Sequence, residues 1–160
     1  MDNIENLKKI SSKIKIAFNN WTLLTEALTH RSYVNEHKDI NIKHNERLEF
    51  LGDAVLELSV TKYLFNKYPN FMEGDLTSFR AALVKTESLA EEAVRLNLGE
   101  FILMSKGEES TGGRERQYIL ANTVEAIIGA IYLDQGFEQA DNFIINNICY
   151  KAESIIKNRS

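Results

Sequence analysis

His44-Asn45-Glu46-Arg47-Leu48-Glu49-Phe50-Leu51-Gly52-Asp53-Ala54-Val55-Leu56-Glu57-Leu58 is the stretch on which the reading of this chain turns. Wound as an α-helix at roughly 100° per residue, it gathers Glu46, Glu49, Asp53 and Glu57 into a sector of roughly 80°. Leu48, Leu51, Val55 and Leu58 fall on the opposite side. One face is an apolar stripe and the other an acidic one. None of the four acids has a Lys or Arg four residues before or after it. Like charges at i,i+4 cost a few tenths of a kcal/mol per pair. A helix that accepts this repulsion calls for something cationic to offset it.

Outward from this helix, which the pattern extends over about Asn45 to Lys67 until Pro69 stops it, the same helical spacing recurs. Ile4, Leu7, Ile10, Ile14 and Ala17/Phe18 predict a helix from Asn3 to about Phe18. Asn20 is a candidate cap for a short helix from Trp21 to about Leu28. Thr29 to Lys43 lacks periodicity and reads as a loop. Gly74 and Asp75 open a helix through about Lys85, and Thr86 or Ser88 caps another to about Leu96, broken by Gly99. Phe101 to Met104 is an ambiguous apolar run. Lys106 to Arg116 holds Gly107, Gly112 and Gly113 among charges and reads as a flexible loop. Tyr118 to Leu133 is strongly apolar and helical, and Gly136 ends it. A last helix runs from Phe137 to about Lys157. No stretch sustains strand alternation. The expected class is all-α, a helical bundle around one unusually apolar helix.

Bulk properties narrow the choices. The 160 residues suit one domain, with 44% hydrophobic and 26% charged residues. A net charge of −4 excludes strong nonspecific nucleic-acid binding by the chain as a whole, because that affinity comes from phosphate neutralisation. A local basic patch stays open. Cys149 is alone, so no internal disulfide forms; it reads as a buried thiol suited to a reducing compartment. The first residues carry no signal-peptide pattern, and no apolar run nears the roughly 20 residues that span a bilayer. The expectation is a cytoplasmic protein with no membrane contact. His30, His37 and His44 recur every seven residues but lie mostly in the predicted loop, where that spacing has no helical meaning. Phe18 and Trp21, beside apolar positions, read as core.

Within the apolar helix, Asn122 and Glu125 stand at i and i+3 among Ala121, Val124, Ala126, Ile127, Ile128, Ala130 and Ile131. An ionised carboxylate in such company is costly unless paired or bound to a cation, and no Lys or Arg lies three or four residues away. Two arrangements satisfy it. The second polar face meets the first with a divalent metal such as Mg²⁺ between them. Alternatively, the acids form a solvated face and Glu125 pairs with a distant Arg. Periodicity alone does not choose.

Asn45-Glu46-Arg47-Leu48-Glu49-Phe50-Leu51-Gly52-Asp53-Ala54-Val55-Leu56 resembles the signature of the ribonuclease III family. Further segments resemble that family in order: Leu28 to Tyr33, Glu73 to Leu76 with Arg80 to Val84, Gly107 to Glu109 with Gly112 to Arg114, and Ile119 to Ala126. The resemblance implies an all-α endonuclease domain over 1–160 that works as a homodimer. It also implies Mg²⁺-assisted cleavage of double-stranded RNA, with Mn²⁺ as a substitute. Products would carry a 5′-phosphate, a 3′-hydroxyl and a short 3′ overhang, in rRNA and mRNA precursor processing. By motif position it makes Asp53 and Glu125 catalytic, Glu49, Asn122 and Glu125 metal-binding, and Glu46 an acid lining the cleft, with Glu73 a further cleft acid. Where the family usually carries Asp, this chain has Asn122. An active natural variant, a weakened enzyme and an engineered inactive form all fit that change, and a silent member that binds structured RNA or assists assembly is the competing function. No double-stranded-RNA-binding domain follows in this chain, so RNA affinity is expected to rest on local cations such as Lys85, Lys106, Arg114 and Arg116. Gly52 predicts a close helix approach, either to a partner's helix, with Phe50, Leu51 and Leu56 packing across a two-fold axis, or within one subunit.

Overall fold

The computed structural model describes residues 4–159 as ten α-helices: α1 (Ile4–Ile14), α2 (Trp21–Ala27), α3 (Arg31–Glu36), α4 (Glu46–Lys67), α5 (Glu73–Val84), α6 (Thr86–Arg95), α7 (Lys106–Ser110), α8 (Gln117–Gln135), α9 (Phe137–Asn147) and α10 (Ala152–Lys157). Three short 3-10 turns, Leu98–Phe101, Gly113–Glu115 and Cys149–Lys151, join them. No strand occurs among the described residues beyond a single Thr29–Leu103 bridge, so the all-α expectation holds.

The architecture follows from α8. Eleven of its residues are buried, including Ile127, Ile128 and Ile131. A helix apolar on nearly all sides belongs in the middle, and α2, α4, α6 and α9 pack around it. The tightest of these contacts is with α4. A Cβ on Gly52 would overlap the carbonyl oxygen of Glu125 and stand 2.9 Å from the amide nitrogen of Gly129; one on Gly129 would overlap the carbonyl oxygen of Leu48. The close approach therefore lies within one subunit, not against a partner's helix. Leu56 is fully buried in this core and Leu51 partly so, whereas Phe50 is 83% exposed.

This contact also corrects the reading of α4. Its buried residues are Leu48, Gly52, Val55, Leu56, Ser59, Val60 and Leu64, while Leu58 is 57% exposed. The buried face is turned roughly a quarter of a helical turn from the predicted leucine stripe, toward the acids. Two small residues, Gly52 and Ser59, mark the line of contact, and neither registers as apolar in a pattern search. Ser59 Oγ donates to Asp141 Oδ1 at 2.6 Å and Lys62 Nζ to Asp141 Oδ2 at 3.2 Å, which ties α4 to α9.

Other boundaries moved for local reasons. The predicted first helix stops at Ile14 because Lys15 turns left-handed (φ 60°), and Asn3, its expected start, lies outside the described residues. Asn20 caps α2 as expected, its side chain accepting from Thr22 N. The loop expected over Thr29 to Lys43 contains α3, with His30 as its cap, accepting from Ser32 N. The flexible loop expected over Lys106 to Arg116 is instead ordered. Ser105 caps α7, and Arg114 Nη1 donates to the carbonyls of Gly99 at 2.9 Å and Ile102 at 2.8 Å. Helix α5 starts one residue earlier than Gly74, at Glu73. Neither Thr86 nor Ser88 caps α6; that position is Lys85, and the break after it comes at Asn97 (φ 56°) rather than Gly99. The single last helix is interrupted at Ile148. There Tyr150 and Lys151 turn in to Glu92, a 3% exposed carboxylate also held by Arg95 at 2.7 Å. Phe18 and Cys149 are buried, and Trp21 is partly so. Burial pushes the Cys149 thiol up to about 12. Among the described residues, no helix is long and apolar enough to cross a membrane.

Candidate metal-dependent active site

Because α4 and α8 touch backbone to backbone, their acids face one another across a short gap. Glu125 sits on α8 at the height of Gly52, and Asp53 is the next residue on α4. The Glu125 carboxyl is partly buried and pushed up to about 8. The largest cause is burial, followed by a hydrogen bond shared with the Asp53 carboxyl and by the negative charges of Asp53, Glu49 and Glu57. Glu49 is also raised, by burial and then by Glu46 and Asp53. Asn122 lies one turn before Glu125 on α8 and is likewise partly buried. Of the residues singled out in the sequence, Glu49, Asp53 and Glu125 thus interact directly, and Glu57 joins them. Glu46 acts on Glu49 rather than leading on Glu125. Glu73 opens α5, exposed, and is not among the leading charges on Glu49 or Glu125.

The counter-charges are unevenly placed. Arg31 of α3 pairs with Glu46 at 3.5 Å, and Arg80 of α5 pairs with Glu57 at 3.0 Å. Both ends of the acidic stripe are therefore met by arginine. Among the described residues, the middle acids Glu49 and Asp53, and Glu125 opposite them, have no ion-pair partner. The distant Arg considered for Glu125 is absent there. The two arginines escape a search at i±4 because their pairings cross from one helix to another.

The donor set fits a hard divalent cation. It consists of carboxylate oxygens and one amide oxygen, the ligands Mg²⁺ and Mn²⁺ prefer, with no imidazole or thiolate. A carboxyl pushed toward its neutral form by burial first, and then by its hydrogen bond to Asp53 and three like charges, is what a cation would relieve. Among the described residues, no three His, Cys, Asp or Glu side chains are grouped closely enough to hold a metal ion by themselves; a cation here would take part of its shell from water and substrate oxygens. Clefts of about 340 and 760 Å³ lie elsewhere, lined by residues around Arg114 and between α1 and α3, and include none of these acids. At the acidic site Asp53 is exposed to solvent while Asn122 and Glu125 are partly buried.

Two of the four cations expected to meet a polyanion face inward. Arg114 holds main-chain carbonyls, and Arg116 pairs with Glu108 and donates to Thr111 O. Lys85 and Lys106 remain exposed. His30 and His37 cap the two ends of α3, and His44 accepts from Glu46 N at 3.3 Å.

Comparison with known proteins places this arrangement. A family model described as Ribonuclease-III-like matches residues 20–152. Ribonuclease 3 of Clostridium acetobutylicum is 51% identical over 153 residues, 96% of this chain and 66% of that protein. Ribonuclease 3 of Bacillus licheniformis is 53% identical over 140 residues, 88% of this chain and 56% of that protein. The chain spans a little over half the length of the curated relatives it matches. Among solved structures, the nuclease domain of ribonuclease III from Campylobacter jejuni, described as flexible in a region involved in dimer formation, superposes with a TM-score of 0.80. It is 48% identical and covers 91% of this chain and 98% of its own. Identity near one half runs through most of the chain and the same helices lie beneath it: the protein belongs to the ribonuclease III family.

Proposed function

We propose that this domain, residues 1–160, is a divalent-metal-dependent endoribonuclease acting on double-stranded RNA as a homodimer. The observation that carries the reading is the Glu125 carboxyl, partly buried among Asp53, Glu49 and Glu57 and pushed up to about 8 with no cationic side chain paired to it. Glu49, Asn122 and Glu125 would hold Mg²⁺, or Mn²⁺ in its place. When bound, Mg²⁺ makes a coordinated water nucleophilic near neutral pH and offsets charge on the scissile phosphate. Asp53, exposed beside Glu125, accepts a hydrogen bond from the attacking water and orients it. Water would add to phosphorus and give up a proton to solvent while the bond to the 3′-oxygen breaks and that oxygen takes up a proton, leaving a 5′-phosphate and a 3′-hydroxyl. Glu46, at the edge of the stripe, borders the substrate path. Family membership supports processing of rRNA and mRNA precursors as the setting, in the cytoplasm. Backbone shape and 2′-hydroxyls, rather than sequence, would guide recognition. Duplex affinity resting on exposed cations such as Lys85 and Lys106 should fall as salt rises. The deciding experiment incubates the chain with a long RNA duplex in Mg²⁺ and in chelator. Cleavage in Mg²⁺ alone supports the reading, and no cleavage at enzyme excess ends it.

The homodimer rests on the outer face of α4. Phe50, Leu58 and Phe65, 83%, 57% and 69% exposed, line one side with Ala54. Large apolar side chains exposed along one face of a helix mark an interaction surface. Dimer formation, described for the Campylobacter domain, supports the use of an exposed apolar face by two copies. Burying one such side chain stabilises by about 1.5–3 kcal/mol. Phe50→Glu should weaken the dimer by at least roughly 100-fold, counting both copies, with the monomer still folded. Sedimentation equilibrium checks it.

A second reading, a silent member that binds structured RNA or assists assembly, is favoured by one residue. Asn122 supplies an oxygen but no charge. Asn122→Asp should lower the Mg²⁺ concentration for half-maximal cleavage by about ten-fold, since ligand charge sets affinity for hard cations. Cleavage that appears only in this variant would establish the silent reading for the chain as it stands.

A further inference from the structure

Glu57 is the fourth acid of the α4 stripe and its charge reaches Glu125, yet its side chain is engaged elsewhere. Arg80 Nε lies 3.0 Å from Glu57 Oε2, and the same guanidinium donates from Nη1 to Thr61 Oγ1 at 3.0 Å. Thr61 is one helical turn beyond Glu57, so the planar fork bridges two successive turns of α4. Glutamates on a helix lean toward its N-terminus, which here would carry Glu57 toward Asp53. Its carboxylate is instead taken up by the Arg80 guanidinium, which Thr61 also holds. The backbone that carries Arg80 is anchored: the adjacent Phe79 is 3% exposed, and Phe79 and Phe71 pack edge to face with ring centroids 5.0 Å apart.

We infer that Arg80 is a positioning residue that withholds Glu57 from the cation and so keeps the inner ligand set to Glu49, Asn122 and Glu125. A guanidinium suits this task because it stays charged and binds two acceptors in a fixed plane. A lysine would supply the charge without the two-point grip. Without Arg80, Glu57 is free to turn toward Asp53 and Glu125, adding a carboxylate to the site while a positive charge is lost. The cation is then held more tightly and in a different arrangement. The inference rests on the metal-dependent reading of the site, but binding and cleavage test the two separately.

The experiment titrates the purified chain with Mn²⁺ alone and follows free Mn²⁺ by electron paramagnetic resonance, beside thermal melting and duplex cleavage. Arg80→Gln should bind Mn²⁺ roughly five-fold more tightly, the scale of one partly screened charge, and cleave more slowly. Arg80→Lys should fall between the two. Adding Glu57→Gln to Arg80→Gln should return Mn²⁺ affinity to the starting value, which loss of a merely structural contact would not do. Glu57→Gln alone, which removes one charge and leaves Arg80 unpaired, should weaken binding by no more than roughly five-fold, the same one-charge scale, and by less than Glu49→Gln; this arm holds even if Arg80→Gln fails to fold. Unchanged or weaker binding in folded Arg80→Gln overturns the inference. So does tightening that persists in the double variant, a loss in Glu57→Gln matching that of Glu49→Gln, or absence of Mn²⁺ binding by the unaltered chain. If Mn²⁺ binding shifts as expected while no variant cuts duplex, the inference stands and the ribonuclease reading falls.

Discussion

Gly52→Ala should abolish the folded domain or leave it barely stable. The added methyl would occupy the space of the Glu125 carbonyl oxygen and press on Gly129 N. Both are main-chain atoms of α8, the most buried helix in the molecule, so no flexible side chain is available to yield. Relief requires moving α4 and α8 apart along a line that also includes Gly129 against Leu48 O. Overpacking a core usually costs about 1–3 kcal/mol where side chains can shift. Here the cost should exceed that range and consume much of the roughly 5–15 kcal/mol that holds a domain of this size. Circular dichroism melting checks it: a cooperative transition within about 5 °C of the unaltered chain would contradict the close contact. A control at Gly74, where a Cβ meets nothing within 4 Å, should melt nearly unchanged.

Glu125→Gln should separate activity from stability. Removing the carboxylate takes away a proposed cation ligand while keeping shape, so duplex cleavage in Mg²⁺ should fall by roughly 10²–10³-fold, the scale for one preorganised electrostatic contact. The fold should respond in the opposite sense. In the folded chain Glu125 titrates at about 8, against 4.5 for the ordinary group. The native state therefore holds this proton more tightly than the unfolded chain. Its stability relative to the unfolded state is fully present below about 4.5 and is lost as pH rises through about 8. With chelator present, the unaltered chain should lose of the order of a few kcal/mol across that window, and the Gln variant should lose less. Melting temperatures between pH 5 and pH 9 measure the difference, and Mg²⁺ should restore the unaltered chain most at the alkaline end. Equal pH dependence in the two proteins would show that Glu125 is not held among like charges.

Much of the site was legible because its parts are local. Glu49 and Asp53 are neighbours on one helix face, and Glu125 announces itself as the acid in an apolar helix. What stayed hidden depends on contacts between helices. The arginines at the ends of the stripe come from α3 and α5, 15 and 23 positions from their partners. Leu58 was placed in the core because leucine periodicity assumes that large residues face inward; glycine and serine took that side of α4 instead. Helices α3 and α7, of six and five residues, are too short for a period to show, and their caps are the only local sign of them. Glycine and charge between Lys106 and Arg116 suggested mobility, yet Arg114 finds its carbonyl partners 12 and 15 residues back.

The glycine contact between α4 and α8 has a consequence for how this chain can diversify. The Glu125 carbonyl is itself the point of contact, so the spacing between the two acid-bearing helices is gauged by main-chain atoms. Substitution around the site can change which oxygens are offered and how they rotate, but not the distance between the rails that carry them. On the metal-dependent reading, preference among cations of different radius would therefore evolve through residue identity at positions such as 122 and 57. It also follows that a conformer with the two rails parted would have given up its central packing: assembling the site and completing the fold are a single event.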